Sequence, residues 1–297
     1  MPAQISTQNS PRRTRLTFCP FGFTIGLTFR CNSQHYQRRV KLGNTIICKV
    51  GDESILLDID SKIQKDGERN CELWRAETYE TKEPDTIEWI NSFFKEGNVI
   101  YDIGANIGQY SLYAAKRLKG NCKILAFEPE SLNYSKLNKN IILNGLTDSI
   151  TAYCLAISDR MELDVFYVQD FLPGAALHSL RKPETQGEVP FSPQNRQGMM
   201  AVSLDDLTGR FSLAFPNHIK IDVDGIEELI IDGARNTLAD PRLESVLVEI
   251  FTHKGNATRI NEAFCESGFT LHNADSIEYK PGIVQNFIYS RKMPNDA

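Results

Sequence analysis

The sequence predicts an α/β fold, a mostly parallel sheet covered by helices on both faces, and three observations carry that expectation. From residue 98 onward, apolar runs of strand length alternate with runs of helical periodicity. The first run, NVIYDI, passes through a glycine turn directly into a helix, and the last two strand-like runs have no helix between them. Alternation requires crossover connections, which give parallel pairing with both faces covered, whereas two strands joined without a crossover pair antiparallel.

Taken in order, residues 1–15 are polar, contain Pro and Arg, and are expected to be disordered. Arg12, Arg13 and Arg15 precede the apolar stretch 16–29, an arrangement that resembles a signal peptide. That stretch, however, carries Pro20, Gly22 and Gly26, is too short to span a bilayer and lacks an A-x-A cleavage site. A cytoplasmic protein with no membrane span is therefore expected. Residues 16–82 read as a small N-terminal β-rich region, a cap or an oligomerisation element. Its short alternating segments, TIICKV at 45–50 and SILLDI at 54–59, are separated by Gly and Asp.

The main domain is expected over 83–297. Glu83-Pro84-Asp85-Thr86 reads as a helix start with Pro in the first turn, and Ile87, Ile90, Phe93 and Phe94 as its apolar face. Then follow strand 98–103 and helix 108–119, strand 122–127 and helix 131–144, and a strand over 150–157. Strand 218–222 leads into helix 225–238, and strand 243–250 into helix 256–267. Strands at 268–272 and 284–290 close the chain as an antiparallel pair. Between them, the insertion 161–203 has strand-like ends and a polar middle, RKPETQGEVPFSPQNRQ, and is expected to act as a lid on the substrate side.

A net charge of −5 gives no electrostatic reason for stable contact with nucleic acid or anionic membranes. The seven cysteines stand singly, without a CxxC pair, which suits reduced packing cysteines better than a disulfide frame or a zinc site.

In an open parallel sheet, ligands bind beyond the carboxyl ends of the strands, near the switch point. An acid ends every strand here: Asp102, Glu128, Asp159 after Ser158, Asp222 with Asp224, and Glu249. Such a rim favours a ligand with positive charge and hydroxyls together, as in a ribose that carries a sulfonium and an ammonium. A dinucleotide cradle, G-x-G-x-x-G from Gly104, would need glycine where Asn106 and Gln109 stand, which counts against a nicotinamide-dependent oxidoreductase. Glu128 follows Gly104 by 24 residues, where an acid can accept from both ribose hydroxyls. Glu249 lies inside the apolar run VLVEIF, where an unpartnered carboxylate would cost several kcal/mol, so it has a partner or lines a cavity. His253, just past the fifth strand, and His178, in the insertion, are placed near the expected acceptor pocket. His35, His218 and His272 read as structural.

The segments VIYDIGANIGQYSLYAA, ILAFEPE, HIKIDVDGIEELIIDGA and VLVEI, in that order and spacing, resemble the FkbM family of S-adenosylmethionine-dependent methyltransferases, and Glu83-Pro84-Asp85-Thr86 matches a segment ahead of the family's first strand. The resemblance covers roughly 83–290. It implies a class I methyltransferase (Rossmann-like) fold of seven strands with the last reversed, and S-adenosylmethionine as cofactor. Carried over by position, Asp102, Gly104, Ala105, Asn106 and Gly108 line the methionine side. Glu128, with Pro129 beside it, takes the ribose diol. Ala156 to Asp159 borders the adenine, and Asp222 meets both cofactor and acceptor. Asp224 stands where the family commonly has Glu, and with His178 it is assigned toward the acceptor.

The resulting expectation is an O-methyltransferase acting on a hydroxyl of a carbohydrate, glycan or polyketide-type product. Asp222 or Glu249 serves as base, with His253 as a third choice. A metal-free route is favoured over a magnesium ion held by Asp222, Asp224 and Glu249. A nucleic-acid methyltransferase would show a basic face and an NPPY-like tetrapeptide, and the sequence has neither. A homo-oligomer is compatible with the sequence.

Overall fold

The computed structural model describes residues 45–59 and 70–291, so the expected disorder of 1–15 and the stretch 16–29 lie outside the described residues. An antiparallel hairpin, β1 (Thr45–Val50) and β2 (Glu53–Asp58), precedes α1 (Cys71–Glu77) and α2 (Pro84–Phe93). Strand β3 (Val99–Ile103) leads into α3 (Gln109–Arg117), β4 (Lys123–Phe127) into α4 (Ser131–Leu143), and β5 (Ile150–Tyr153) follows. The insertion contributes β6 (Ala156–Ile157), β7 (Glu162–Val168), β8 (Ser179–Leu180) and β9 (Asn195–Val202). The chain then returns through β10 (His218–Ile221), α5 (Glu227–Asp232), α6 (Arg235–Ala239), β11 (Ser245–Phe251), α7 (Asn256–Glu266), β12 (Thr270–Leu271) and β13 (Val284–Ser290).

The main sheet has seven strands in the order β12-β13-β11-β10-β3-β4-β5. From β11 to β5 every pair is parallel, while β13 runs antiparallel to both β11 and β12. This is the class I methyltransferase arrangement with a reversed last strand. Strand order reverses between β3 and β10, so the switch point lies beyond Ile103 and Ile221.

Alternate residues of each strand feed two cores, as a pleated sheet covered on both faces requires. Ile100, Ile124, Ala126 and Leu247 pack on one side with α2, α3, α4 and the hairpin. Tyr101, Ile103, Leu125, Phe127 and Val248 pack on the other with α5, α6 and α7. The hairpin is tied down by side-chain amides of α4. Asn144 exchanges hydrogen bonds with both backbone groups of Leu56, and Asn140 accepts from the Asp58 N–H. These bonds cover a strand edge that would otherwise be open.

Three boundaries differ from the sequence reading, each for a local reason. The strand expected over 150–157 is two strands in two sheets: after Tyr153, whose carbonyl accepts from Glu128 N, the chain bends and β6 pairs with β9. The helix expected over 225–238 breaks at Gly233, whose carbonyl accepts from Asp205 N instead of continuing the helix. A Cβ there would collide with the backbone of Ser158. The insertion is more ordered than a loop: β7 pairs along its length with β9, in a four-stranded sheet of order β6-β9-β7-β8. Arg181 pins this sheet's edge by pairing with Asp159, Glu162 and Asp164.

Candidate functional site

Gly104 shows why the first turn is built from glycine. Its φ is +79°, and a Cβ would strike the carbonyl oxygen of Asp222, so the loops after β3 and β10 close on each other only without a side chain. The N–H groups of Gly104 and Ala105 both bond Phe127 O, which locks the turn to β4 as well. Beyond it lies a cavity of about 680 Å³. Phe127, Leu155 and Ile157 are among its apolar lining residues, and Asp222, Asp224 and Glu249 among its acidic ones.

Of the residues expected to bind a cofactor, Gly104, Asn106, Glu128, Pro129, Ala156 and Asp222 line this cavity. His178, Asp224 and Glu249 line it too. Asp102 sits beneath it, buried, taking a hydrogen bond of 2.5 Å from Ser111 Oγ. Ala105 is buried within the turn, and Gly108 (φ +95°) caps the start of α3 against Leu137. Asp159 lies apart from the cavity wall, on the Arg181 clamp. His253 lines a second hollow of about 290 Å³, which it shares with Lys182, Glu184, Thr185 and Glu188 of the insertion's polar middle.

Glu128 is held by its own neighbourhood. Oε2 accepts from Asn106 N and Oε1 from Glu130 N, both at 2.8 Å. Burial nonetheless pushes its carboxyl up to about 8, because those two N–H groups return only part of the lost hydration.

The opposite end is crowded with charge. Lys220, fully enclosed, donates to Asp222 Oδ2 at 2.6 Å. Burial works against ionised Asp222, but Lys220 outweighs it and holds that carboxyl well below the usual range. Glu249 feels first the negative charge of Asp222 and then its own burial, and is pushed up to about 9. Asp224 rises to about 6 through burial and the charge of Asp222, while accepting from Leu177 N at 2.5 Å. A third carboxylate reaches this cluster from the start of α2: oxygens of Glu83, Asp222 and Glu249 lie within 4.8 Å of one another. Glu83 also pairs with Lys82 and accepts from Thr86 Oγ1 at 3.1 Å. A divalent cation could be held by such oxygens, although two ammonium groups already supply the positive charge it would bring.

The sequence reading missed Lys220, Lys82, Glu83 and Arg75. Lys220 had a usable signal, a lysine inside the apolar strand HIKI, and the strand register places it directly beside Asp102. Glu83 stood in the Glu83-Pro84-Asp85-Thr86 segment that matches the family but was read only as a helix start, and Lys82 and Arg75 had no signal, since they come from segments that reach the sheet only through packing.

A family model described as the methyltransferase FkbM domain matches residues 102–271. The chain is 28% identical over 206 residues to methyltransferase sdnD of Sordaria araneosa, covering 61% of this chain and 77% of that one. It is 25% identical over 179 residues to the hexuronic acid methyltransferase AglP of Haloferax volcanii, covering 60% and 66%. It is 24% identical over 198 residues to the 31-O-demethyl-FK506 methyltransferase FkbM of Streptomyces tacrolimicus, covering 60% and 74%.

Proposed function

The chain belongs to the FkbM methyltransferase family, and from that premise we propose that it moves the methyl group of S-adenosylmethionine to a hydroxyl oxygen of a carbohydrate, glycan or polyketide-type acceptor, without a metal ion. The observation that carries this reading is the pairing, across one cavity at the switch point, of a ribose-type acceptor (Glu128) with a proton-holding carboxylate pair (Asp222 and Glu249).

The residues fit the cofactor. Phe127, Leu155 and Ile157 offer an apolar slot for a base, and Glu128 at the end of β4 keeps lone pairs free for a diol. When bound, S-adenosylmethionine supplies a methyl group activated on a sulfonium. The protein's share of the work is to align the acceptor and remove its proton. Glu249 is the group we assign to that removal: its elevated pKa makes it a stronger base than an ordinary carboxylate once ionised. Asp222 stays charged beside Lys220 and sets that elevation. The acceptor class is supported by the relatives named for a hexuronic acid and for 31-O-demethyl-FK506. The metal-free route is supported by Lys220 on Asp222 and Lys82 on Glu83.

Calorimetry with S-adenosylmethionine and S-adenosylhomocysteine should show binding, and labelled methyl should reach sugar or uronic acid acceptors after exhaustive chelation. Heat only with a nicotinamide cofactor would overturn the reading. Activity lost to EDTA and restored by magnesium would turn Glu83, Asp222 and Glu249 into ligands.

A further inference from the structure

Helix α1 lies outside the matched family domain, yet it delivers a cation into the cavity. Arg75 lines the cavity and is only 7% exposed. Its bonding partners are neutral: Nε donates to Gly174 O at 2.7 Å and Nη1 to Gln109 Oε1 at 3.3 Å, while its own carbonyl accepts from Gln109 Nε2. Among the described residues it enters no ion pair. A buried guanidinium with no carboxylate in direct contact is costly, and a ligand carboxylate could make that contact.

A second buried donor belongs to a residue that lines the same cavity. His178 Nδ1 accepts from Gln169 N at 3.3 Å, which leaves the proton on Nε2, and Nε2 is buried without a partner. Burial, aided by the nearby charge of Arg75, lowers this imidazole to about 4, so it is a neutral donor at physiological pH. Gly174 and His178 bracket one strap, 174–178, held to Asn133 through Gly174 N, to Asn106 through Ala175 O and to Asp224 through Leu177 N. Arg75 and His178 are therefore fixed by one piece of backbone.

The charge around them narrows the ligand. Glu128, Asp222 and Asp224 all feel Arg75, and Lys220 and Lys82 are already engaged by Asp222 and Glu83, so a dianion such as phosphate would meet three carboxyl groups with Arg75 as its cation. A zwitterion fits: its carboxylate on the guanidinium, its ammonium toward the acids.

We propose that Arg75 and His178 form a carboxylate subsite that grips the α-carboxylate of the cofactor's amino-acid end, making α1 part of the cofactor site. This rests on S-adenosylmethionine being the cofactor. Arg75 binds as a planar two-pronged donor, and the His178 Nε2–H adds a third hydrogen bond.

Calorimetry on wild type and Arg75→Met, with S-adenosylhomocysteine and its decarboxylated analogue, separates the possibilities. In wild type the decarboxylated ligand should bind about ten- to a hundredfold more weakly, the loss of one charge-assisted pair. Arg75→Met should lose the same factor for S-adenosylhomocysteine and nothing for the analogue. Arg75→Gln keeps an N–H for Gly174 and makes the same prediction should the Met variant unfold. His178→Leu should cost S-adenosylhomocysteine severalfold and leave the analogue unchanged. Equal losses for both ligands, or none, would overturn the subsite while leaving the cofactor reading intact. Wild type that binds neither ligand would remove both. Unchanged cofactor affinities with a raised KM for a carboxylated acceptor would transfer the carboxylate to the acceptor and overturn the assignment.

Discussion

The two ends of the cavity use the same kind of side chain in opposite ways. At the β4 end, Glu128 has each oxygen met by a backbone N–H from the turns around it. At the β10–β11 end, Asp222, Glu249 and Glu83 are met by one another and by two lysine ammoniums drawn from separate segments. The first arrangement is settled before any ligand arrives, which suits binding. The second leaves a proton shared among acids that cannot all ionise together, which suits proton transfer. A carboxylate's role here follows from what meets its oxygens more than from its place at a strand end.

The sharpest break of this comparison is Glu249→Gln. Turnover should fall by about 10²- to 10⁴-fold, the usual share of general-base catalysis, while cofactor affinity stays within a few-fold. In wild type, kcat should rise with pH, reach half its maximum near the Glu249 value of about 9 and level off above it, and the variant should lose that limb. Asp222→Asn should move the limb to lower pH, because the charge of Asp222 is the largest cause of the elevation. A limb that persists in Glu249→Gln would assign the proton elsewhere.

Glu128→Gln tests the opposite end. It should weaken binding of S-adenosylhomocysteine by roughly 1 to 3 kcal/mol, the loss of two hydrogen bonds accepted from a diol. Turnover at saturating cofactor should stay near wild type, since Glu128 meets no reacting atom in the proposed scheme. Equal damage to affinity and turnover would erase the contrast between the two ends.

The same contrast explains how far the sequence could be read. Gly104 and Glu128 belong to consecutive strand-to-helix turns, so their spacing along the chain nearly fixes their spacing in space. Glu249 stood out because a carboxylate in an apolar strand demands a reason. The same argument applies to Lys220 in HIKI and would have located the ion pair with Asp222. Glu83 and Arg75 gave no such sign: one reads as a helix start and the other as an ordinary basic residue of a short helix. Tertiary packing alone brings them to the sheet. The bend after Tyr153 and the break at Gly233 were equally hidden, because both depend on backbone groups of distant segments, Glu128 N in one case and Asp205 N in the other.

The smallest expected effect concerns the ligand-free protein and the cost of keeping Glu128 buried. Glu128 and Glu227 are both enclosed, and burial raises each carboxyl from 4.5 to about 8. Glu227 accepts from Gly225 N at 3.0 Å and lies outside the large cavity, so it serves as an internal control. Between those two values the unfolded chain has released a proton that the folded chain retains, so stability must fall as pH rises, at about 1.4 kcal/mol per pH unit for each group. His178 and His218 act in the opposite sense, since burial lowers them to about 4 and about 3, and they cost stability only below the ordinary histidine value of 6.5. The fall should therefore be clearest between about pH 6.5 and 8. Urea unfolding across that range checks it: Glu128→Gln and Glu227→Gln should each remove about half the slope from these two groups, a change of about 1.4 kcal/mol per pH unit. Only Glu128→Gln should also weaken the cofactor. Glu249, raised to about 9, adds its own share to the wild-type slope, so the variant difference is the readout. A slope that Glu128→Gln leaves unchanged would mean that Glu128 is already ionised in the folded protein, and the β4 end would then be as highly charged as the end it is set against.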